Sequence, residues 1–361
     1  MNSLFYDMNR TYEENFKRGP VGLAKLKKPL LKVTKPKFKF LGFPVNMPFG
    51  IPAGPIFNSK FAKAAFDFGF DVLTYKTQRT QLFPSNKFPN ILFVDIYGNL
   101  TSAKAKKPLL GTFTTNKNKN DLTIVNSFGN PSQDPKFWQQ DVKKALSYAL
   151  PHQLLIMSVV GTINKNGGTE EDYFNDFAKT AKLAKETGTK VIEINLSCPN
   201  VATEGVLCYT PYAVEAIAKK VKKTIGGIPL IIKLGYFSSE QQNLLQDIIK
   251  RTLPYVSAVS AINTIPGQIV DEKGKPMLGP KRLWAGVCGR GIKWAGIDMT
   301  RRLADLREKL HANYEIVGIG GVMSPNDYLE YRKAGADAVQ SATGSMWNPY
   351  LAYEIWKSEY L

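Results

Sequence analysis

The chain has 361 residues, 43% hydrophobic and 11% aromatic, and carries a formal net charge of +18; this is the composition of a globular protein with a large core, long enough for one barrel or two ordinary domains. Its three cysteines, Cys198, Cys208 and Cys288, are too few for a disulfide framework and lack the C-x-x-C spacing of zinc or iron–sulfur sites, which fits a reducing compartment. No stretch approaches the ~18 to 20 uninterrupted apolar residues of a membrane span, and "MNSLFYDMNRTYEENF" lacks the order of a secretion signal, so a cytoplasmic protein without integral membrane association is expected.

From the N-terminus, residues 17–40 gather Lys17, Arg18, Lys25, Lys27, Lys28, Lys32, Lys35, Lys37 and Lys39 without one acid. Pro20, Pro29 and Pro36 break any single amphipathic helix there. We therefore read 1–44 as a basic N-terminal extension packing on the rest, not as an anchor for nucleic acid or lipid, and 45–361 as the catalytic domain. The positive balance still favours anionic small substrates by steering. Short apolar runs then recur at "FGIPAG" (49–54), "DVLTYKT" (71–77), "LLIMSVVG" (154–161), "KVIEINLS" (190–197), "PLIIKLG" (229–235), "SAVSAINT" (257–264), "EIVGIGG" (315–321) and "DAVQSAT" (337–343). Most are separated by helix-period segments that start at Ser, Thr or Asn and stop at Gly or Asn. This rhythm, with strands apolar on both faces, predicts an α/β fold of the (β/α)8 TIM barrel type. A doubly wound sheet is disfavoured because no strand leads into G-x-G-x-x-G. Two segments break the rhythm. Residues 78–153 include "ILFVDIYG", read as a short extra hairpin at the C-terminal rim, and 265–292 form a second inserted loop.

Chemistry in such a barrel belongs to the C-terminal strand ends, which here offer Ala53, Gly54, Lys76, Thr77, Ser158, Asn195, Cys198, Asn200, Lys233, Asn263, Thr264, Gly320, Gly321, Thr343 and Gly344. Lys233 sits inside an apolar strand, where an ammonium must be compensated. It is either half of a buried pair with Glu193 or a fixed positive charge beside an anionic cofactor or substrate, and Lys76 at another strand end favours the second. "GIGGV" (318–322) and "SATGS" (341–345) place backbone N–H groups where the last two loops of a barrel bind phosphate. Asn126, Asn195, Asn200 and Asn263 supply paired donors and acceptors suited to a planar heterocycle with amide edges, such as a pyrimidine. His152 and His311 lie away from this rim, so neither histidine catalysis nor a metal is expected. That leaves Cys198, a thiol whose few per cent of thiolate suffices for a general base when positive charge is near. Cys208 and Cys288 read as small buried apolar residues.

In sequence order, "YKT" with Lys76, "NSFGNP" (126–131), "EINLSCPN" (193–200), "IIKL" with Lys233, "AINT" with Asn263, "AGVCGRGIK" (285–293), "GIGGV" and "GADAVQSATG" (335–344) resemble the dihydroorotate dehydrogenases, flavoenzymes of pyrimidine (UMP) biosynthesis. The resemblance implies an FMN-binding barrel that oxidises (S)-dihydroorotate to orotate. Cys198 would take the C5 proton while the C6 hydride passes to flavin N5, and a cysteine there is similar to the soluble class 1 enzymes. Lys233 would stabilise negative charge on the flavin. Lys76, Asn126, Phe128, Gly129, Asn130, Asn195, Asn200, Asn263 and Thr264 would hold the substrate. Ala53, Gly54, Lys76, Thr77, Ser158, Asn195, Lys233, Asn263, Gly286, Gly289, Gly320, Gly321, Thr343 and Gly344 would hold FMN. The expected partners are the small-molecule substrate, an electron acceptor (fumarate, a quinone, or NAD through another subunit) and a second copy in a homodimer, with no nucleic acid. Two related flavoenzymes share the "NLSCP"-type core and stand as alternatives: a dihydropyrimidine dehydrogenase-like reductase of free pyrimidines, and a tRNA dihydrouridine synthase-like enzyme.

Overall fold

Eight parallel strands close into a barrel in chain order: β1 (Phe49–Ile51), β2 (Val72–Gln78), β3 (Leu154–Val159), β4 (Val191–Asn195), β5 (Leu230–Leu234), β6 (Ala258–Ala261), β7 (Glu315–Ile319) and β8 (Ala338–Gln340). The computed structural model describes residues 3–29, 35–163, 168–197 and 207–360. β8 returns to β1 through Val339 opposite Phe49. Every strand falls on one of the apolar runs read from the sequence. Helices cover the outside, and several begin at side-chain caps: Asn58 before Ser59–Asp67, Thr169 before Glu170–Lys185, and Ser324 before Pro325–Lys333. One crossover helix, Pro135–Ser147, lies where the sequence reading left an irregular insertion. Asp134 caps it, Pro135 opens it, and Trp138, Val142 and Ala145 make its buried stripe.

The rim differs from the short hairpin expected there. Ile91–Val94, Leu109–Thr112 and Thr123–Asn126 from the first insertion join Ile265–Val270 and Trp284–Gly289 from the second in a closed five-stranded barrel. A lone hairpin would expose two unpaired edges and one apolar face. Pairing Ile269 with Leu109 and Gly286 with Asn126 closes those edges, and Leu92, Val125, Ile269 and Val287 become fully buried.

At the opposite end a hairpin of Phe38–Phe40 and Phe43–Val45 turns through Leu41 and Gly42, both at positive φ. Phe40 and Val45 pack against Val72, Ile156, Val191, Ile231 and Val317 and so plug the barrel's base. The boundary drawn from the sequence at 44/45 falls inside this hairpin. Just beyond it, Asp71 accepts hydrogen bonds from the Met47 amide (2.9 Å), Gln153 (3.0 Å) and Asn46 (3.4 Å), tying the plug's exit to the start of β2.

Burial pushes the Asp71 carboxyl up to about 7, against the pull of those three donors. A carboxyl raised in the folded state contributes stability that is complete below its unfolded value of about 4 and is lost as pH rises through about 7. Unfolding free energy is therefore expected to fall between pH 5 and pH 7, by at most about 1.4 kcal/mol per pH unit from this group. Asp71→Asn should flatten that part of the profile in denaturant titrations; an equal fall in the variant would contradict the assignment.

Candidate active site

Inside the barrel the side chains change character with height. Alternate residues of each strand point inward. The lower set, including Val72, Leu154, Ile156, Val191, Ile231, Ala258, Val317 and Ala338, is apolar and rests on the plug. Above it lie Thr74, Ser158, Glu193, Lys233, Ser260 and Gln340, all buried. Gln340 Nε2 donates to Thr74 Oγ1 and to the Val72 carbonyl, each at 3.0 Å. Ser158 Oγ donates to Glu193 Oε1 at 2.9 Å and is 3.0 Å from Thr77 Oγ1, which Asn195 Nδ2 reaches at 3.5 Å. Burial raises the Glu193 carboxyl, and the Lys233 charge and the Ser158 and Ser260 hydroxyls draw it back.

A pocket opens directly above this layer and encloses about 840 Å³, its mouth included. Its walls contain Ala53, Gly54, Lys76, Thr77, Asn126, Phe128, Asn130, Asn195, Lys233, Asn263, Thr264, Gly289, Gly320, Gly321, Thr343 and Gly344 from the residues singled out in the sequence. Three others stand behind the wall. Ser158 is in the polar layer. Gly129, at φ +78°, packs on Asn86; Gly286 packs beneath Thr264, whose Oγ1 would lie 2.3 Å from a Cβ at 286. Cys198 and Asn200 lie outside the described residues. The approach to them is fixed: Asn263 Nδ2 donates to the Ser197 carbonyl at 2.6 Å, and the Ser197 amide donates to Asn195 Oδ1 at 3.3 Å.

The sequence reading missed Cys288, Ile292, Ile319, Val322, Met323, Ser341 and Ala342 on the wall. From the sequence Cys288 reads as a packing residue. It faces the pocket because Trp284–Gly289 pairs with Thr123–Asn126, which brings Asn126 Nδ2 to 3.8 Å from its sulfur. Burial pushes its thiol up while Thr343 and Asn126 pull the other way. No single-strand pattern announces that placement.

Each wall has a support. Lys76 Nζ lies 5.1 Å over the Phe128 ring and 5.8 Å over Phe57, and those rings are packed edge-on by Tyr6 and Tyr12 of the N-terminal segment. The Asn86 amide donates to the Phe128 carbonyl at 2.8 Å, and Arg282 reaches Ser127 Oγ at 3.2 Å. Gly320 and Gly321 turn at φ +134° and +64°, and Tyr331 OH donates to the Gly320 carbonyl at 2.7 Å. Asp327 accepts from the Met323 amide at 2.9 Å while pairing with Arg290 and Lys293.

The donor set fits a planar, anionic, phosphorylated cofactor stacked with a small polar ligand. Asn130 Nδ2 and Thr264 Oγ1 are buried without a hydrogen-bond partner. A Cβ on Gly54 would meet no atom within 4 Å and would stand in the open cradle. Lys233, 5% exposed, makes no ion pair within 4.0 Å among the described residues. Among those residues no cluster of His, Cys, Asp and Glu is arranged to hold a metal.

The family model for dihydroorotate dehydrogenase matches residues 106–358. The chain belongs to the dihydroorotate dehydrogenase family. It is similar to a dihydroorotate dehydrogenase of Dictyostelium discoideum, 34% identical over 363 residues that cover 98% of this chain and 96% of the relative. The catalytic subunit of dihydroorotate dehydrogenase B (NAD(+)) from Desulforamulus reducens is 31% identical over 216 residues, 58% of this chain and 66% of that one. The corresponding subunit of Listeria monocytogenes is 28% identical over 260 residues, 71% of this chain and 78% of that one. Among solved structures, the dihydroorotate dehydrogenase of Eimeria tenella in complex with ferulenol superposes with a TM-score of 0.67 at 17% identity, covering 88% of this chain and 81% of that one, a likeness of fold. Dihydroorotate dehydrogenases are oxidoreductases and flavoproteins, and the parallel barrel found here is their architecture.

The contact between Gly286 and Thr264 gives a stability test. Gly286→Ala is expected to cost about 1–3 kcal/mol by overpacking, and adding Thr264→Ala should recover part of that loss in a double-mutant cycle. Strictly additive effects would mean that Thr264 does not receive the strain.

Proposed function

We propose that this chain oxidises dihydroorotate to orotate in pyrimidine biosynthesis, with FMN as its flavin and Cys198 as the base. The observation that carries the reading is the meeting, at one barrel mouth, of a buried ammonium without an ion pair among the described residues, Lys233, with the amides of Asn126, Asn195 and Asn263. Those amides with Thr264 and Lys76 suit a pyrimidine that has carbonyl and N–H edges and a carboxylate. Three buried atoms on the pocket wall without a hydrogen-bond partner among the described residues, Asn130 Nδ2, Thr264 Oγ1 and Thr343 Oγ1, are hydrogen-bonding capacity that a ligand completes.

Gly54, Gly320, Gly321, Thr343 and Gly344 would hold the FMN, the last four around its phosphate, with Lys233 against the ring. When bound, FMN supplies the hydride acceptor. The chain's own residues do the rest. Asn195 and Asn263 orient the pyrimidine and hold Ser197, the residue before Cys198. Cys198 takes the C5 proton as the C6 hydride leaves, and the C5=C6 double bond forms from the electrons of the C5–H bond. Lys233 offsets the negative charge that reduction adds. A separate electron acceptor closes the cycle, and we place the enzyme in the cytoplasm as a homodimer. No described helix is long and apolar enough to cross a membrane.

An anaerobic absorbance titration with dihydroorotate tests the reading: the flavin band should bleach stoichiometrically. A band bleached only by dihydrouracil or by a dihydrouridine-containing tRNA would replace the substrate. Cys198→Ala should retain the flavin but slow its reduction by about 10²–10⁴-fold, the usual contribution of a general base; equal rates would remove Cys198 from the chemistry. Reoxidation of the reduced protein by fumarate, by a quinone or by NAD with a second subunit then identifies the acceptor.

A further inference from the structure

We propose that Glu193 is a positioning residue that sets the charge Lys233 presents to the flavin. The proposal rests on the reading above, in which Lys233 lies against the flavin ring. Glu193 is 1% exposed on β4, and its neighbour across the β4–β5 pairing is Ile231, with Lys233 one inward step higher, opposite Asn195. The carboxylate is therefore beneath the ammonium, inside the barrel and off the pocket wall.

The hydrogen bonds around Glu193 are those an ionised carboxylate accepts. Ser158 has one hydroxyl proton and gives it to Glu193 Oε1 at 2.9 Å. With Glu193 ionised, Thr77, 3.0 Å from Ser158 Oγ, is the donor in that pair, and Asn195 Nδ2 in turn donates toward Thr77 Oγ1 at 3.5 Å. In that form the relay starts at a pocket amide and ends on Glu193 as acceptor, and these bonds together with the Lys233 charge oppose the burial that raises the carboxyl. The carboxylate does not reach Lys233 as a salt bridge within 4.0 Å, and among the described residues the Lys233 ammonium donates no hydrogen bond. Glu193 thus compensates Lys233 through space while leaving its N–H donors directed to the pocket. A contact pair would consume those donors; an uncompensated ammonium would overstabilise the reduced, more negative flavin.

The test is the reduction potential of the bound flavin, measured by equilibration with reference dyes. Glu193→Gln keeps the shape and the acceptor for Ser158 and removes the charge. It is expected to retain flavin and shift the oxidised-to-reduced equilibrium at least tenfold toward reduced, about 30 mV upward for a two-electron couple. Lys233→Met should move it downward. A downward shift in Lys233→Met beside an unmoved Glu193→Gln would overturn the role of Glu193 and leave the flavin reading standing. Absence of flavin from the wild-type protein, or an unmoved potential in both variants, would overturn the flavin reading and this proposal with it. Should Glu193→Gln fail to fold, Ser158→Ala, which makes the carboxyl easier to protonate, must shift the potential upward; an unchanged value there also refutes the proposal.

Discussion

An ammonium inside a closed barrel costs several kcal/mol unless its surroundings compensate it, and the placement of Lys233 on β5 imposes that condition on everything around it. The answer is vertical layering. Apolar side chains and the Phe38–Val45 hairpin seal the base, a hydroxyl-rich layer holds one carboxylate beneath the ammonium, and the charge is left facing upward. Were the base open to water, solvent would screen the field that makes the site useful.

The upper wall comes from elsewhere in the chain. Asn126 ends a strand of the first insertion, and Cys288 lies in a strand of the second; the five-stranded barrel on the rim brings them together. That small barrel gives rigid strand positions to residues that would otherwise sit on long loops, and rigid positions are what a polar ligand site requires. The glycine turn at 320–321 is steadied from outside by Tyr331, and the close approach of the Tyr331 ring and hydroxyl to Gly318 and Gly296 shows why neither position has room for a side chain.

Much of this was legible in the sequence because it is written in local pattern. Eight apolar runs gave eight barrel strands, and Lys233 stood out as a cation in an apolar run. The strand-end rule gathers half of the pocket wall. What escaped depends on pairings distant in the chain. The rim barrel is assembled from two insertions, neither of which has enough strands to close alone. Gly286 and Ser158 belong to the right segments but stand one layer behind the wall, a distinction of side-chain direction that motif reading does not resolve. Glu193 was visible only as an available partner for Lys233; its separation from the ammonium and its bond to Ser158 depend on the barrel's register.

The N-terminal segment bears on the order of folding. Ser3 Oγ and the Leu4 amide both donate to the Met346 carbonyl, at 2.9 and 3.1 Å, in the short helix Thr343–Trp347 that supplies part of the pocket wall. Nearby, Tyr6 and Tyr12 brace the rings beneath Lys76, and β8 must reach β1 before the barrel closes. A nascent chain still lacking its last strand has already exposed the tyrosines that will brace the site, yet has no closed barrel to receive a cofactor. Cofactor loading therefore waits on the arrival of β8, and the long-range contacts that complete the pocket are of the kind that slow folding.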